Sequence, residues 1–230
     1  MAGSRLASWE AVRVNAPHAH TTSWVTQRLR ERIEAGTLLP GAKLAEQQLA
    51  GELEVSRNTL REAFTALAAH GLVERIPNRG VFVASPGADG VREIYAVRRV
   101  VEPAALLWAP VPEGTVERME SIVTRALAAK ERADVPAMAA ANQELHRIIV
   151  GLNASDGVTE MMERVLARMR LVFFAMHDQP DFHTQYVLLN ARLVELLGRG
   201  ERAQAAETMR EYLDQAEAEL LGHLERDARA

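Results

Sequence analysis

There is no cysteine among the 230 residues. That excludes disulfides, thiolate metal sites and a cysteine nucleophile, and leaves no signal for an oxidising compartment. Aromatic residues make up only 5% of the chain, so its cores must be built from Leu, Val, Ile and Ala. No apolar run approaches the roughly 18 residues of a membrane span. The opening MAGSRLASWEAVRV lacks the apolar stretch of a signal peptide, so a cytoplasmic chain with no membrane partner is expected. Positive charge is also in deficit. The formal net charge is −4, which taken as a whole argues against a nucleic-acid partner.

What is present is an ordinary globular mixture, 48% hydrophobic and 25% charged. The abundance of Ala and Leu with Glu and Arg favours helix. The charge is unevenly spread. Residues 1–85 carry 10 Lys/Arg against 8 Asp/Glu, and residues 86–230 carry 17 against 23. The character changes near Ala84-Ser85-Pro86-Gly87-Ala88-Asp89-Gly90, a stretch without apolar periodicity that reads as a linker over 86–92. Residues 1–20 lack periodicity as well and are expected to form a flexible arm.

Between arm and linker, Val25, Leu29 and Ile33 recur at helical spacing, with Thr21, Thr22 or Ser23 available as a cap and Gly36 as the stop. Leu39-Pro40-Gly41 is a turn, and a short helix over about 46–52 follows. Ser56 caps a helix that runs to His70 and stops at Gly71. Leu72–Ile76 and Gly80–Val83 flank the turn Pro77-Asn78-Arg79 and predict a two-stranded hairpin. This order is that of a winged helix-turn-helix over 21–85.

The third helix carries the chemistry. At 100° per residue, Leu60, Ala63, Phe64 and Leu67 form a buried stripe, and Asn58, Arg61, Glu62 and Thr65 lie opposite. Arg57 stands at the helix start. An apolar back that fixes the angle of the helix, with Arg and Asn at its N-terminal end, suits entry into a major groove: Arg matches guanine and Asn matches adenine, each bidentately. Arg79 at the hairpin tip can meet phosphate or a minor groove.

Residues 91–227 are helical almost throughout, with helices expected at about 91–108, 115–132, 135–152, 155–176, 182–197 and 201–225. Pro103 falls inside the first and is expected to kink it. No strand pattern competes. The whole is a mainly α chain, a winged helix-turn-helix followed by an antiparallel all-α bundle large enough to enclose a pocket. Several polar residues share inward stripes: Asn142 and His146 with Leu145 and Ile149, Asn190 with Tyr186 and Leu193, and Tyr212 with Met209. They either line a pocket or satisfy one another. Arg98 likewise either meets an effector carboxylate or forms an i, i+4 surface pair with Glu102. Arg168 and Arg170 are candidates for a pocket rim.

Specific motifs add to this reading. Pro40-Gly41-x-x-Leu44-x-Glu46-x-x-Leu49-Ala50, Val55-Ser56-Arg57-x-x-x-Arg61-Glu62-Ala63, Gly71-Leu72-Val73 and Arg79-Gly80 resemble the winged-helix signature of the GntR family of bacterial transcription regulators. The segment Ile94-Tyr95-Ala96-Val97-Arg98-Arg99-x-x-Glu102 and the tail Leu196-Leu197-x-x-Gly200-Glu201 resemble the FCD effector domain of its FadR-like branch. The resemblance implies DNA contacts by Ser56, Arg57, Asn58, Thr59, Arg61, Arg79 and Gly80, with Gln47 standing where some members place an arginine. It implies a homodimer on an inverted-repeat operator, a repressor role, and an effector-binding and dimerisation domain over 93–227.

Many members of that branch bind a divalent metal with one Asp and three His. Those positions fall here on Asn142, His146, Asn190 and Tyr212, so only His146 is retained. Asn is a poor ligand for a transition ion and neutral Tyr is rarely one. No metal cofactor is expected; instead Arg98, Asn142, His146, Asn190 and Tyr212 are expected to contact a small organic effector, a carboxylate if Arg98 takes part. A metal-dependent sensor with a degenerate site, recruiting His177 or His183, is the alternative. An all-α enzyme is a weaker one, because no nucleophile elbow, phosphate loop or paired-carboxylate spacing is present.

Overall fold

The stripe of Val25, Leu29 and Ile33 is fully buried on α1 (Pro17–Glu34). The computed structural model describes residues 17–176 and 179–227. Helix α1 starts earlier than its apolar stripe suggests. Pro17 opens it, because a first-turn residue needs no N–H partner. Thr21, Thr22 and Ser23 therefore lie inside the helix and not at its cap; Thr22 Oγ1 donates to Glu62 Oε2 at 2.8 Å. Residues 17–20 of the expected arm are thus helical, and the rest of the arm lies outside the described residues.

After α1 come β1 (Lys43–Leu44), α2 (Glu46–Glu52), α3 (Arg57–Ala69), β2 (Val73–Ile76) and β3 (Gly80–Val83). The expected hairpin is part of a three-stranded antiparallel sheet in the order β1-β3-β2, with Leu44 opposite Val81 and Arg75 also opposite Val81 from the other side. A two-residue strand is too short to show alternation, so β1 leaves no periodic trace. Leu60, Ala63, Phe64 and Leu67 of α3 are completely buried and pack with α1 and the sheet in one core.

The second unit holds α4 (Ala88–Trp108), α5 (Thr115–Glu131), α6 (Val135–Gly151), α7 (Asp156–Phe173) with a 3₁₀ turn over Phe174–Met176, α8 (Pro180–Gly198) and α9 (Arg202–Asp227). Helix α4 begins at Ala88, so residues 88–92 of the expected linker are helical; Asp89 in the first turn favours the positive helix start. The helix runs on through Pro103 without ending there. Arg202, at the start of α9, closes the far end of α4 by donating to the carbonyls of Leu106 (2.8 Å), Ala105 and Ala109. Arg99 ties α4 to α9 through Asp214 (2.6 Å) and Glu217. No described helix is long and apolar enough to cross a membrane.

The two units share α7. Ala167 and Leu171 belong to the core of the winged unit, whereas Met162, Val165, Met169 and Val172 belong to that of the bundle. Two tight approaches lock the contact. Gly36 has φ +76°, and a Cβ placed on it would lie 2.6 Å from Cε1 of Phe174. Gly71 has φ +67° and meets Arg168. Arg168 also pairs with Glu93 at 2.9 Å, and Arg170 Nε donates to the Glu34 carbonyl at 3.0 Å. Gly36→Ala combines left-handed strain with a ring clash. It is expected to cost about 1–3 kcal/mol in urea unfolding followed by circular dichroism.

Candidate functional site

Helix α3 owes its start to Ser56. The Ser56 Oγ accepts the Thr59 N–H at 3.1 Å and lies 2.8 Å from Thr59 Oγ1. Thr59 is accordingly buried and spent on the cap. Arg57, Asn58 and Arg61 are exposed on the outer face. Among the described residues Arg57 makes no ion pair, while Arg61 Nε holds Glu46 Oε2 of α2 at 2.9 Å. That pair is solvent-exposed, so its partners exchange readily for a phosphate or a base edge.

Two further cations join this face that the sequence reading did not single out. Arg75 on β2 donates from Nη2 to the Arg61 carbonyl (3.1 Å) and to Thr65 Oγ1 (3.0 Å), which lays its guanidinium across α3. Lys43 on β1 lies 6.0 Å from the Phe82 ring centre, and Arg79 covers the same ring at 5.5 Å. Arg75 shares the phase of buried Val73 on β2, so alternation points it inward and hides its exposure at the edge of α3; Lys43 stands on a strand too short to show alternation. At the wing tip Asn78 (φ +61°) and Gly80 (φ +113°) take left-handed backbone, and this turn projects Arg79. Gln47 is exposed on α2.

Within the bundle the five inward polar residues converge from four helices: Arg98 on α4, Asn142 and His146 on α6, Asn190 on α8 and Tyr212 on α9. Arg98 and Glu102 are both fully buried, with Nε to Oε1 at 2.6 Å and Nη2 to Oε2 at 3.3 Å. The pair has the spacing of a surface pair and the burial of a core one. Glu102 Oε2 also accepts from His146 Nδ1 at 2.6 Å, and His146 Nε2 lies 3.1 Å from the Tyr212 hydroxyl. Tyr212 donates to Asn142 Oδ1 at 2.8 Å, and Asn190 Nδ2 donates to the same oxygen at 2.7 Å. Arg98 Nη1 rests on the Met169 sulfur of α7 at 2.8 Å, and its guanidinium lies over the Tyr95 ring at 5.0 Å. Among the described residues three buried polar side-chain atoms have no partner: Tyr95 OH, Asn142 Nδ2 and Asn190 Oδ1.

The charges follow from this packing. Burial pushes Glu102 upward, but the charge of Arg98 and the His146 ring outweigh it and hold the carboxyl at about 2. Burial alone would loosen the Arg98 proton; Glu102 more than reverses that. Burial lowers the pKa of His146, with Glu102 opposing and Arg98 reinforcing. His183, considered for metal recruitment, is instead packed between Phe173 and Phe182 with Nε2 on the Met176 carbonyl at 3.1 Å. Burial depresses its pKa to about 4. His177 lies outside the described residues.

A divalent metal does not fit this donor set. Asn142 Oδ1 already accepts two hydrogen bonds, and the Arg98 guanidinium stands 3.1 Å from His146 Nδ1, where a second cation would be repelled. Among the described residues no three His, Cys, Asp or Glu side chains converge as ligands. The organic-effector residues are brought together, yet packed on one another, and Arg170 lies elsewhere, at the junction of the two units.

Comparisons with known proteins bear on the two-unit architecture. The family model for bacterial regulatory proteins of the gntR family matches residues 21–83, and that for the FCD domain matches residues 93–215. An uncharacterised HTH-type transcriptional regulator of the TAR-I ttuE-ttuC' intergenic region of Agrobacterium vitis is 31% identical over 131 residues, 55% of this chain and 77% of that one. The HTH-type transcriptional repressor RspR of Escherichia coli K12 is 25% identical over 65% of this chain and 67% of its own. A solved GntR transcriptional regulator from Rhodococcus sp. RHA1 superposes with a TM-score of 0.83 at 35% identity, covering 88% of this chain and 98% of that one. E. coli McbR/YncC, at 20% identity and a TM-score of 0.72, shares the fold.

Glu102→Gln leaves Arg98 buried without its counter-charge. It is expected to cost about 3–5 kcal/mol in denaturant unfolding. Acid should also destabilise the chain in a defined window. Unfolded histidines take up protons near pH 6.5, whereas folded His146 and His183 resist, so stability falls as pH drops below about 6.5. His183 alone contributes about 3 kcal/mol, lost by pH of about 4, and Glu102 adds a further loss between about 4 and 2. Chemical unfolding at a series of pH values measures this; stability that stays flat from pH 7 to 5 contradicts it.

Proposed function

The chain belongs to the GntR family of bacterial regulatory proteins and carries an FCD domain, so it is a DNA-binding transcription regulator with an effector-binding domain; from that premise we propose that it is a cytoplasmic repressor, released from its operator by a small organic carboxylate. The observation that carries the DNA-binding half is the outer face of α3, where Arg57, Asn58 and Arg61 stand clear of a completely buried stripe. Arg79 and the Gly80 turn, at the wing tip, reach the flanking backbone. Ser56 and Thr59 hold the helix start that aims the arginines. Two copies, one head each, read an inverted repeat, because a two-fold dimer matches a two-fold site.

The effector half rests on the buried polar cluster. Polar atoms left without partners in a core are costly, and Tyr95 OH, Asn142 Nδ2 and Asn190 Oδ1 are three such atoms around one cluster. A small ligand that satisfies them recovers that cost. Its carboxylate competes with Glu102 for Arg98, while Asn142, Asn190, His146 and Tyr212 hold its polar groups. The donor set argues for direct contact with the organic ligand and against a metal between them. No catalysis is part of the reading: the ligand is bound and released unchanged.

The test begins with duplexes selected from a random pool by the full-length protein. They should converge on an inverted repeat. Arg57→Ala and Arg61→Ala should each weaken gel-shift binding to it by about five- to a hundredfold, without loss of helical signal, as removal of one base contact does. A pool that does not converge, or binding indifferent to Arg61→Ala, overturns the assignment of α3. For the effector, a thermal-shift screen of small organic acids should yield a stabilising acid that also releases the operator. Asn142→Ala and Asn190→Ala should abolish that shift. A stabilising acid insensitive to both places the effector elsewhere, and one that tightens operator binding overturns the repressor reading.

A further inference from the structure

At the junction of the two units lies a cleft of about 530 Å³ whose walls are apolar: Leu39 and Pro40 from the turn before β1, Leu171, Val172 and Phe174 from the end of α7, and Leu224 from α9. Leu39 is 56% exposed at its mouth. A second, smaller hollow of about 180 Å³ adjoins it, sharing Ala35 and Phe174, and is lined by Val135, Ala139, Phe173, His183 and Arg170. The two hollows meet at Ala35 and Phe174, and among the described residues that line them Arg170 is the one with a permanent charge.

Arg170 is engaged only in part. Its Nε donates to the Glu34 carbonyl and its guanidinium stacks on Phe174 at 5.1 Å. Among the described residues its Nη atoms have no hydrogen-bond partner and no carboxylate lies within ion-pair distance; Glu34, the nearest candidate, turns its carboxylate to Arg147 at 4.0 Å. Burial depresses the pKa of Arg170, with Glu34 opposing and Arg147 adding to the fall, as befits a cation short of counter-charge. A half-buried guanidinium with free Nη atoms is matched by a carboxylate, which takes two parallel hydrogen bonds from it. The hydrocarbon walls specify the other end of the ligand.

We propose that this junction cleft is a second ligand site, independent of the buried cluster, which binds an amphipathic monocarboxylic acid with its carboxylate on Arg170 and its hydrocarbon tail between Leu39, Val172 and Leu224. Its occupant touches both units at once: Ala35, Gly36, Leu39 and Pro40 belong to the winged unit, and the other walls to the bundle or the connection between the units. Such a ligand acts on the placement of the DNA-binding head directly, and not through the bundle core.

The experiment is isothermal titration calorimetry of the full-length protein with octanoate, octanamide and acetate. Octanoate should bind; octanamide, without the charge, and acetate, without the tail, should each bind at least about tenfold more weakly. Arg170→Gln should weaken octanoate by about ten- to a hundredfold. Because Arg170 also holds the Glu34 carbonyl, a second variant guards against a folding artefact. Leu39→Glu alters an exposed residue at the mouth and puts a carboxylate in the path of the tail. It should weaken octanoate comparably while the circular dichroism spectrum and unfolding midpoint stay those of the parent. Absence of octanoate binding overturns the proposal, as does equal binding of octanamide. So does octanoate affinity that ignores both variants and falls with Asn142→Ala; that outcome assigns octanoate to the buried cluster and leaves the effector reading of the cluster standing.

Discussion

Helix α7 has to satisfy two cores at once, and the placement of everything else follows from that. Its first half is largely exposed, but from Val165 to Phe173 every side chain is buried or half-buried, with Ala167 and Leu171 turned to the winged unit and Val165, Met169 and Val172 to the bundle. A helix covered on all sides has no solvent-facing sector into which it can relax. Displacing it therefore disturbs the packing of the DNA-binding head and of the polar cluster together. The backbone answers this demand in the winged unit, where left-handed glycines 36 and 71 give the room that Phe174 and Arg168 occupy.

The same helix explains how an ion pair survives in the bundle core. Arg98 and Glu102 are taken wholly out of water, which costs more than their attraction returns unless their remaining hydrogen-bonding capacity is used. His146 takes the second oxygen of Glu102, and Met169 of α7 and the Tyr95 ring cover the guanidinium. A neutral pair with a largely neutral imidazole leaves little net charge in the core. That balance is what a divalent ion would break, and a competing carboxylate would shift it in the opposite sense by favouring protonation of His146.

Much of the winged unit was legible in the sequence because its demands are local. The α3 stripe, the Ser56 cap, the stop at Gly71 and the Asn78-Arg79-Gly80 turn each depend on a few neighbouring residues, and the structure has them all. The start of α1 was not legible, since the apolar stripe begins two turns after Pro17. Strand β1 was not, because two residues carry no period. In the bundle, helical periodicity separated inward from outward faces but could not say which neighbour covers an inward one. Arg98 and Glu102 at i, i+4 look alike on a surface and in a core; only the helices from elsewhere in the chain distinguish the two. Ala167 and Leu171 look like bundle residues for the same reason, and Arg170 looks like a rim residue of the bundle although it faces the junction.

These placements constrain how a ligand can act on DNA binding. A ligand shifts an equilibrium only by binding one arrangement better than another, so its site must change when the heads move. The polar cluster meets that condition through Met169, which touches Arg98 on the bundle side of the helix whose other side, at Ala167 and Leu171, seats the head. The junction cleft meets it by being made of both units. The head itself has only a small excess of basic residues, so on the proposed reading its affinity rests on where Arg57, Arg61, Arg75 and Arg79 stand relative to the groove and on two heads being held at the right separation. Contacts of that kind lose strength steeply with misplacement, because each phosphate or base edge is met by one short-range hydrogen-bonded pair. On that reading a modest tilt of α7 is enough to matter: it need not dismantle the α3 face, only carry it out of register with the second head of the proposed dimer.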